Sequence, residues 1–197
     1  QYIFFFSSIK IRNKVNIIEN LSLLADAINK SESILLVGHI NPDGDSIGSL
    51  TGMKGYLSTL GKSVCAAVPN NYPQFLEFLD PEKEILMYSE TPDKVREKAD
   101  SSHLIICMDF NSLKRIDNLG EVIGNSKARK ILVDHHPGHD NIFDIVYSYP
   151  QLSSTCELAY WIIKGLMQIY GNALPHNSAV ALYTGMMTDT NNFASSV

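Results

Sequence analysis

The sequence predicts an α/β fold in which helices cover both faces of a parallel β-sheet. Short apolar runs rich in branched residues alternate along the chain with segments of helical periodicity, which is the pattern of βαβ units. Polar, acid-rich motifs follow directly after several of these runs. With 197 residues, 45% of them hydrophobic, the chain is long enough to bury the core of such a fold.

Four apolar runs predict the strands of the sheet. They are short and rich in branched residues, and polar segments follow them, as expected for strands buried on both faces. The first run, for example, ends at Gly38 and a turn over residues 41–44. The four predicted strands are residues 34–37, 64–68, 103–108 and 131–133.

Five segments predict helices. Ile17, Ile18, Leu21, Leu24 and Ala25 share one face of the first, and Gly61 supplies a C-terminal stop for the second. The third is a charged helix that either Thr91 or Asp93 can start, and the fourth carries an apolar stripe. The predicted helices are residues 15–30, 46–60, 91–98, 155–170 and 178–187.

Composition excludes several classes of protein. The net charge of −5 and the pI near 5.6 argue against long duplex nucleic acid as a partner, although a short oligonucleotide in a local pocket is compatible with them. Cys65, Cys107 and Cys156 are far apart and odd in number, which favours buried thiols in the cytoplasm over disulfides. The apolar run 2–6 is too short to span a membrane, so we expect a cytoplasmic protein.

Acids and imidazoles follow three of the predicted strands, and a further acid ends the last helix. Because the carboxyl ends of parallel strands meet at one edge of a sheet, we expect these side chains to converge there. The residues concerned are His39, Asp43, Asp45, Asp109, Asp134, His135, His136 and Asp189.

Such a cluster of acids requires cations. Two carboxylates about 4 Å apart repel each other by on the order of 4 kcal/mol at an effective dielectric constant near 20. Oxygen and imidazole donors without thiolate suit Mn²⁺ or Mg²⁺ better than a structural zinc. Two such ions about 3.5–4 Å apart can share a carboxylate, activate a water and neutralise a phosphoryl group.

Each motif taken alone also fits an ordinary structural role. Residues 41–44 form a common turn sequence, and Asp109 can cap the segment that follows it. The adjacent histidines fit a surface position, and Asp189 fits a helix-end turn. Arg115 fits either a phosphate contact or a solvated surface arginine. The prediction of a metal site therefore rests on the combination.

Together, the segments 38–49, 133–137 and 185–190 and the strand-end Asp109 resemble the four motifs of the DHH phosphoesterase family. The resemblance covers about residues 30–193. Within that family the chain looks most like the nanoRNase branch, whose members are bifunctional oligoribonucleases and adenosine 3′,5′-bisphosphate phosphatases. The resemblance implies two manganese ions, with Mg²⁺ as a substitute.

The resemblance also implies a role for each matching residue. By it, His39 and Asp43 bind one ion, Asp45 binds the other, and Asp109 bridges both. His135 and Asp189 complete the shell of the second ion. His136 would contact the scissile phosphate, and Asp134 would orient a metal-ligating histidine. The catalytic residues implied are Asp109, His136 and Asp134, and the substrate-binding residues are His136 and Arg115.

The chain departs from the family pattern in two places. Asn191-Asn192 stands where small glycine-like residues are usual, although asparagine still permits a tight turn. Such proteins also carry a second, smaller, glycine-rich C-terminal domain that binds substrate, and the sequence after Asp189 is too short to supply it. We therefore expect residues 1–197 to be the catalytic domain of a longer protein.

These observations predict a metal-dependent hydrolase. Its expected substrates are short single-stranded oligoribonucleotides or small nucleotide phosphates such as adenosine 3′,5′-bisphosphate. The sequence is also compatible with an oligomeric protein. A second hypothesis keeps the two-metal centre but assigns pyrophosphate or polyphosphate as the substrate. A third is a nucleotide-binding regulatory module without catalytic activity, although every expected ligand position holds a competent residue.

Overall fold

The structure of the protein, a computed structural model, describes residues 21–194. Six strands form one sheet in which every hydrogen-bonded pair is parallel. Their order is β3-β2-β1-β4-β5-β6, so the predicted parallel sheet is confirmed. The strands are β1 (Ser33–Val37), β2 (Ser63–Val68), β3 (Leu86–Met87), β4 (Leu104–Met108), β5 (Arg129–Asp134) and β6 (Ile145–Ser148).

Helices cover both faces of this sheet, as predicted. Helices α1, α2, α5 and α6 pack on one face, and α3 and α4 pack on the other. Their bounds are α1 (Leu21–Asn29), α2 (Gly44–Thr59), α3 (Pro92–Ser101), α4 (Leu119–Asn125), α5 (Thr155–Tyr170) and α6 (His176–Asp189). Two short 3₁₀ helices, Gln74–Leu79 and Leu113–Ile116, join them.

The strands are continuous apolar runs because both faces of the sheet are covered. In β1, Ile34 and Leu36 pack in the core of the α1-α2-α5-α6 face, whereas Leu35 and Val37 pack in the core of the other face. All four are buried. Alternation of side chains along a strand therefore sends apolar groups to both layers, and no polar face remains in the centre of the sheet.

Most of the predicted helices and strands are present, but their first or last residues differ from the predicted ones. Helix α2 begins two residues before the predicted segment because the Asp43 side chain accepts hydrogen bonds from the backbone amides of Asp45 and Ser46 at 3.0 and 3.1 Å. Helix α5 matches its predicted range. The described part of the first predicted helix is α1, and residues 15–20 and the apolar run 2–6 lie outside the described residues.

The sequence prediction missed β3, β6 and α4. The first two are only two and four residues long, and α4 contains two glycines that lower its helix propensity. Strand β5 also begins earlier than predicted, at Arg129. The ammonium of Lys130 is buried there because it donates to the carbonyls of Ser126 and Ala128 near the end of α4.

Two sequence predictions concern the chain as a whole. Cys65, Cys107 and Cys156 are all free thiols; Cys107 and Cys156 are buried as expected, whereas Cys65 is only half-buried. Among residues 21–194, no helix combines the length and the apolar character needed to cross a membrane.

Candidate metal centre

The order of the strands in the sheet predicts where the site lies. From β1 the next strands are added on one side of the sheet and from β4 they are added on the other, although β1 and β4 are neighbours in the sheet. The loops that leave these two strands diverge to opposite faces, and a crevice opens at their carboxyl ends. His39 follows β1 and Asp109 follows β4, so both stand at this crevice.

His39, Asp43 and Asp109 form the first cluster of candidate ligands. The His39 Nε2 atom lies 3.8 Å from Asp43 Oδ1 and 3.4 Å from Asp109 Oδ2. The other ring nitrogen, Nδ1, is 2.7 Å from the carbonyl oxygen of Ile40. Donation from Nδ1 to that carbonyl leaves Nε2 facing the two acids, which is the tautomer that a metal ligand needs.

Asp45, His135 and Asp189 form the second cluster. The His135 Nε2 atom lies 3.9 Å from Asp45 Oδ2 and 3.6 Å from Asp189 Oδ2. Asp45 comes from the first turn of α2, His135 follows β5, and Asp189 is the last residue of α6. Three separate elements thus supply one cluster.

Asp109 lies between the two clusters. Its Oδ2 atom faces His39 at 3.4 Å, and its Oδ1 atom faces His135 Nε2 at 3.9 Å. The residue has a left-handed backbone with φ of +64°, a conformation that aspartate and asparagine tolerate better than most side chains. The structure therefore brings all six predicted metal ligands together, with one carboxylate shared between two groups of donors.

The donor set fits divalent cations. Two ligands bound at about 2.1 Å to one octahedral ion are about 3.0 Å apart, so the observed separations of 3.4–3.9 Å within each cluster require only small side-chain movements. The donors are carboxylate oxygens and imidazole nitrogens, the preferred ligands of Mn²⁺ and similar ions. Each cluster could hold one ion.

The N-terminus of α5 holds two of these carboxylates, which the sequence prediction missed. The backbone amides of Thr155 and Cys156 donate to the two oxygens of Asp45 at 2.7 and 2.8 Å. The Thr155 hydroxyl donates to Asp109 Oδ1 at 2.8 Å. The only signal in the sequence is the capping pair Ser154 and Glu157, which marks the helix start but not what it faces.

Asp134 has a different partner from the one expected of a residue that orients a metal-ligating histidine. Its Oδ1 atom lies 2.8 Å from His136 Nδ1, whereas His135 Nδ1 lies 3.4 Å from the carbonyl oxygen of Leu152. Asp134 is fully buried, so it fixes the ring of His136, the residue expected to contact phosphate. The reason is local: only His135 separates the two residues in sequence, so their side chains can meet without any distant element. His136 itself lies within reach of Asp109 and His135.

Arg115 lies close to the crevice. It belongs to the 3₁₀ helix Leu113–Ile116, and its backbone carbonyl accepts a hydrogen bond from the Ile40 amide at 2.8 Å. The hydrogen bond to Asp134 raises the pKa of His136, while burial and the charge of Arg115 oppose that rise. The positive charge of Arg115 therefore acts on His136 at the crevice, where it would also favour the binding of an anion.

Three of the candidate ligands hold protons more tightly than usual, whereas Asp43 does not, because its contact with His39 outweighs burial and lowers the pKa of Asp43 to about 2. Burial opposes protonation of His39, but its contacts with Asp109 and Asp43 outweigh burial and raise the pKa of His39 to about 10. Burial also raises the pKa of Asp45, and the charge of Asp109 raises it further. The pKa of Asp189 is raised mainly by burial. The acids repel one another and therefore hold cations, whether protons or metals.

Metal uptake is expected to release protons. At pH 7 His39 lies below its raised pKa and is protonated, but ligation requires the neutral ring. We therefore expect Mn²⁺ binding to release at least one proton at pH 7. Affinity should rise by up to about tenfold per pH unit for each proton released. Calorimetric titration in buffers of different ionisation enthalpy measures the number released.

A matched histidine variant controls this measurement. His103 contacts Ser33 at the opposite end of the sheet, so His103→Gln should release as many protons as the unaltered protein. His39→Gln should bind Mn²⁺ more weakly and release fewer protons. Equal proton release by His39→Gln and the unaltered protein would contradict the assignment of the titrating group.

The turn after α6 accounts for the first departure from the family pattern. Asn191 and Asn192 both adopt left-handed conformations, with φ of +49° and +59°. Asparagine is, after glycine, the side chain that tolerates this region best. The pair thus makes the tight turn that smaller residues would otherwise make, directly after Asp189.

The sequence of this chain is similar to those of known proteins over most of its length. The sequence profile described as DHH family, N-terminal domain, matches residues 33–186. The bifunctional oligoribonuclease and PAP phosphatase NrnA of Thermus thermophilus is 30% identical over 182 residues, which cover 89% of this chain and 49% of that protein. The chain thus spans about half the length of the curated relatives it matches.

Solved structures similar to this one include the following two. An exopolyphosphatase-related protein from Bacteroides fragilis superposes with a TM-score of 0.84 at 34% identity, covering 88% of this chain and 51% of that chain. The exonuclease RecJ bound to manganese superposes with a TM-score of 0.55 at 20% identity, covering 88% of this chain and 43% of that chain. The second likeness shows a shared fold.

Proposed function

The chain belongs to the DHH family, and from this premise we propose that it is the catalytic part of a two-metal phosphoesterase. The proposed substrates are short single-stranded oligoribonucleotides and nucleotide 3′-phosphates such as adenosine 3′,5′-bisphosphate. The Thermus thermophilus relative is named for these two activities. We propose manganese as the resident ion, with magnesium as a substitute.

The position of Asp109 carries the proposal. Its two oxygens face His39 on one side and His135 on the other, and each of these imidazoles stands among further carboxylates. An arrangement with one shared acid between two clusters suits a pair of ions better than a single ion.

Each residue has a distinct part in the proposed reaction. His39, Asp43 and Asp109 would hold one ion, and Asp45, His135, Asp189 and Asp109 would hold the other. Bound there, the pair would lower the pKa of a water and neutralise phosphoryl oxygens.

The residues around the ions would bind and position the phosphate. His136, whose Nδ1 atom is held by Asp134, would present its Nε2 atom to the phosphate, and Arg115 would supply a further positive charge. Thr155 keeps Asp109 in place through its hydroxyl.

A second candidate function has its own support. The similar Bacteroides fragilis structure is of an exopolyphosphatase-related protein, and a two-metal centre can cleave a phosphoanhydride as well as a phosphoester. Pyrophosphate or polyphosphate is therefore the alternative substrate. We place the nucleotide substrates first because the curated relatives of similar coverage carry oligoribonuclease and PAP phosphatase names.

A substrate panel separates these functions. The manganese-loaded full-length protein is assayed for release of phosphate or mononucleotide from adenosine 3′,5′-bisphosphate, ribodinucleotides, pyrophosphate and tripolyphosphate. We expect turnover of the first two and little of the last two. Preference for pyrophosphate or tripolyphosphate would favour the second candidate, and metal binding without turnover of any substrate would indicate a catalytically inactive nucleotide-binding module.

A further inference from the structure

A cleft of about 460 Å³ opens beside the metal centre and has no part in holding ions. Its walls come from the segments that follow four strands: Ile40 after β1, Asn70 after β2, Tyr88 after β3, and Asp117 with the α4 residue Glu121 after β4. It therefore continues the crevice at the carboxyl edge of the sheet, on the side of β2 and β3. A volume of this size accommodates a nucleoside.

The cleft is joined directly to the metal centre through Ile40. The carbonyl of Ile40 accepts the hydrogen bond that fixes the ring of His39, and its amide donates to Arg115. The neighbouring Asn41 exchanges two hydrogen bonds with Asn70, one from the Asn41 amide at 2.7 Å and one from the Asn70 side chain at 2.8 Å. A ligand in the cleft thus lies against the loop that carries a candidate metal ligand.

One wall of the cleft offers a preformed stacking surface. The Arg96 guanidinium donates to Asp93 at 3.0 Å and to the Tyr88 hydroxyl at 2.8 Å. Its central carbon lies 5.4 Å from the centre of the Tyr88 ring. Two anchors therefore hold the guanidinium before any ligand arrives, and planar guanidinium and phenol groups are surfaces on which nucleobases stack.

The charges of the cleft favour a base over a second phosphate. Arg96 is already paired with Asp93, and the other charged side chains in the wall are the carboxylates of Asp117 and Glu121. Carboxylates repel phosphate but accept hydrogen bonds from the exocyclic amino groups of bases. Adenine, guanine and cytosine carry such a group, and uracil does not.

We propose that this cleft binds the nucleobase of a nucleotide whose phosphate lies at the metal centre, and that it prefers bases with an exocyclic amino group. This inference rests on the proposed function for the presence of the phosphate, but the cleft itself can be tested without phosphate or metal. Tyr88 and Glu121 are the residues that would determine this specificity.

Binding of free nucleosides to the metal-free protein tests the cleft. Adenosine and uridine are titrated while the backbone amide and arginine side-chain NMR signals are followed. We expect adenosine to shift the signals of Tyr88, Arg96 and Glu121, and uridine to bind more weakly. Tyr88→Ala should weaken adenosine binding about tenfold, since it removes the ring and one anchor of Arg96.

Three variants complete the test. Tyr88→Phe keeps the ring and should retain most of the affinity, and Glu121→Gln should reduce the preference for adenosine over uridine. Tyr183→Ala removes an exposed tyrosine outside the cleft and should change nothing. No adenosine binding at millimolar concentration, shifts confined to residues outside the cleft, or unchanged affinity in Tyr88→Ala would overturn the proposal.

The outcome is independent of the proposed reaction. Adenosine carries no phosphate and the titration contains no metal. Absence of hydrolysis in the substrate panel would therefore not change the interpretation of adenosine binding. Conversely, a protein that hydrolyses dinucleotides but does not bind adenosine in the cleft would retain the proposed function and refute the base site.

Discussion

Replacement of Asp109 by asparagine is expected to lower kcat by about 10³-fold or more while the fold remains intact. Asparagine keeps the size of the side chain and tolerates the left-handed backbone at this position. It removes the one carboxylate that faces both clusters of ligands. Asp109→Ala should also abolish turnover. It should in addition lower the free energy of unfolding, because alanine is disfavoured in that left-handed conformation.

Activity and metal affinity should fall far more than stability in Asp109→Asn. Burial raises the pKa of Asp45 and the charge of Asp109 raises it further, a sign of repulsion, but, against the effect of burial, contact with Asp109 also helps to raise the pKa of His39, a sign of attraction. Because these two effects oppose each other, the free energy of unfolding of the metal-free protein should change little, while Mn²⁺ affinity falls. Steady-state kinetics, calorimetric metal titration and thermal unfolding without metal measure the three quantities.

An exposed acid provides the control. The side chain of Asp26 in α1 is 49% exposed and pairs with Lys30 on the surface, an interaction that contributes little to stability. Asp26→Ala should retain kcat and Mn²⁺ affinity. Full activity in Asp109→Asn would show that the reaction does not pass through these clusters.

Gly48→Ala is expected to lower the free energy of unfolding by about 1–3 kcal/mol, even though alanine favours helices over glycine. Gly48 lies in α2 at a close approach to α6. An added methyl group would lie 2.6 Å from the carbonyl oxygen of Ala181, 3.2 Å from the Gly185 Cα atom and 3.1 Å from the sulfur of Cys156. Two of these are backbone atoms, so the helices themselves must separate.

The same separation should weaken metal binding. Helix α2 carries Asp45 in its first turn, and α6 ends in Asp189, so a shift between the helices moves two ligands of one cluster apart. Thermal unfolding should show a fall in Tm of about 2–4 °C for each kcal/mol lost. Calorimetric titration should show weaker Mn²⁺ binding.

Gly124→Ala is the matched control for this substitution. Gly124 is an exposed residue of α4, and an added methyl group there would meet only the end of the Leu113 side chain, at 3.2 Å. That variant should be as stable as the unaltered protein or slightly more stable. If Gly48→Ala proved as stable as the unaltered protein, then α2 and α6 would not approach each other as closely as described.

Local patterns in the sequence were sufficient for the long elements and for the identity of the candidate ligands. The apolar runs around Leu36, Ile106 and Leu132 predicted buried strands because a strand covered on both faces is apolar throughout. Helix α5 was predicted with its observed ends. By contrast, β3 and β6 are too short to carry a pattern of their own, and their pairing with β2 and β5 defines them.

The sequence by itself determined which acids and imidazoles stand at the ends of strands, because that information lies within a few residues of each motif. Only the tertiary structure decided which of them meet. Asp109 and Thr155 are 46 residues apart and Asp45 and Cys156 are 111 apart, and the partner of Asp134 proved to be His136. Such contacts, like the cleft beside Ile40, arise from packing between elements, which no local pattern of residues encodes.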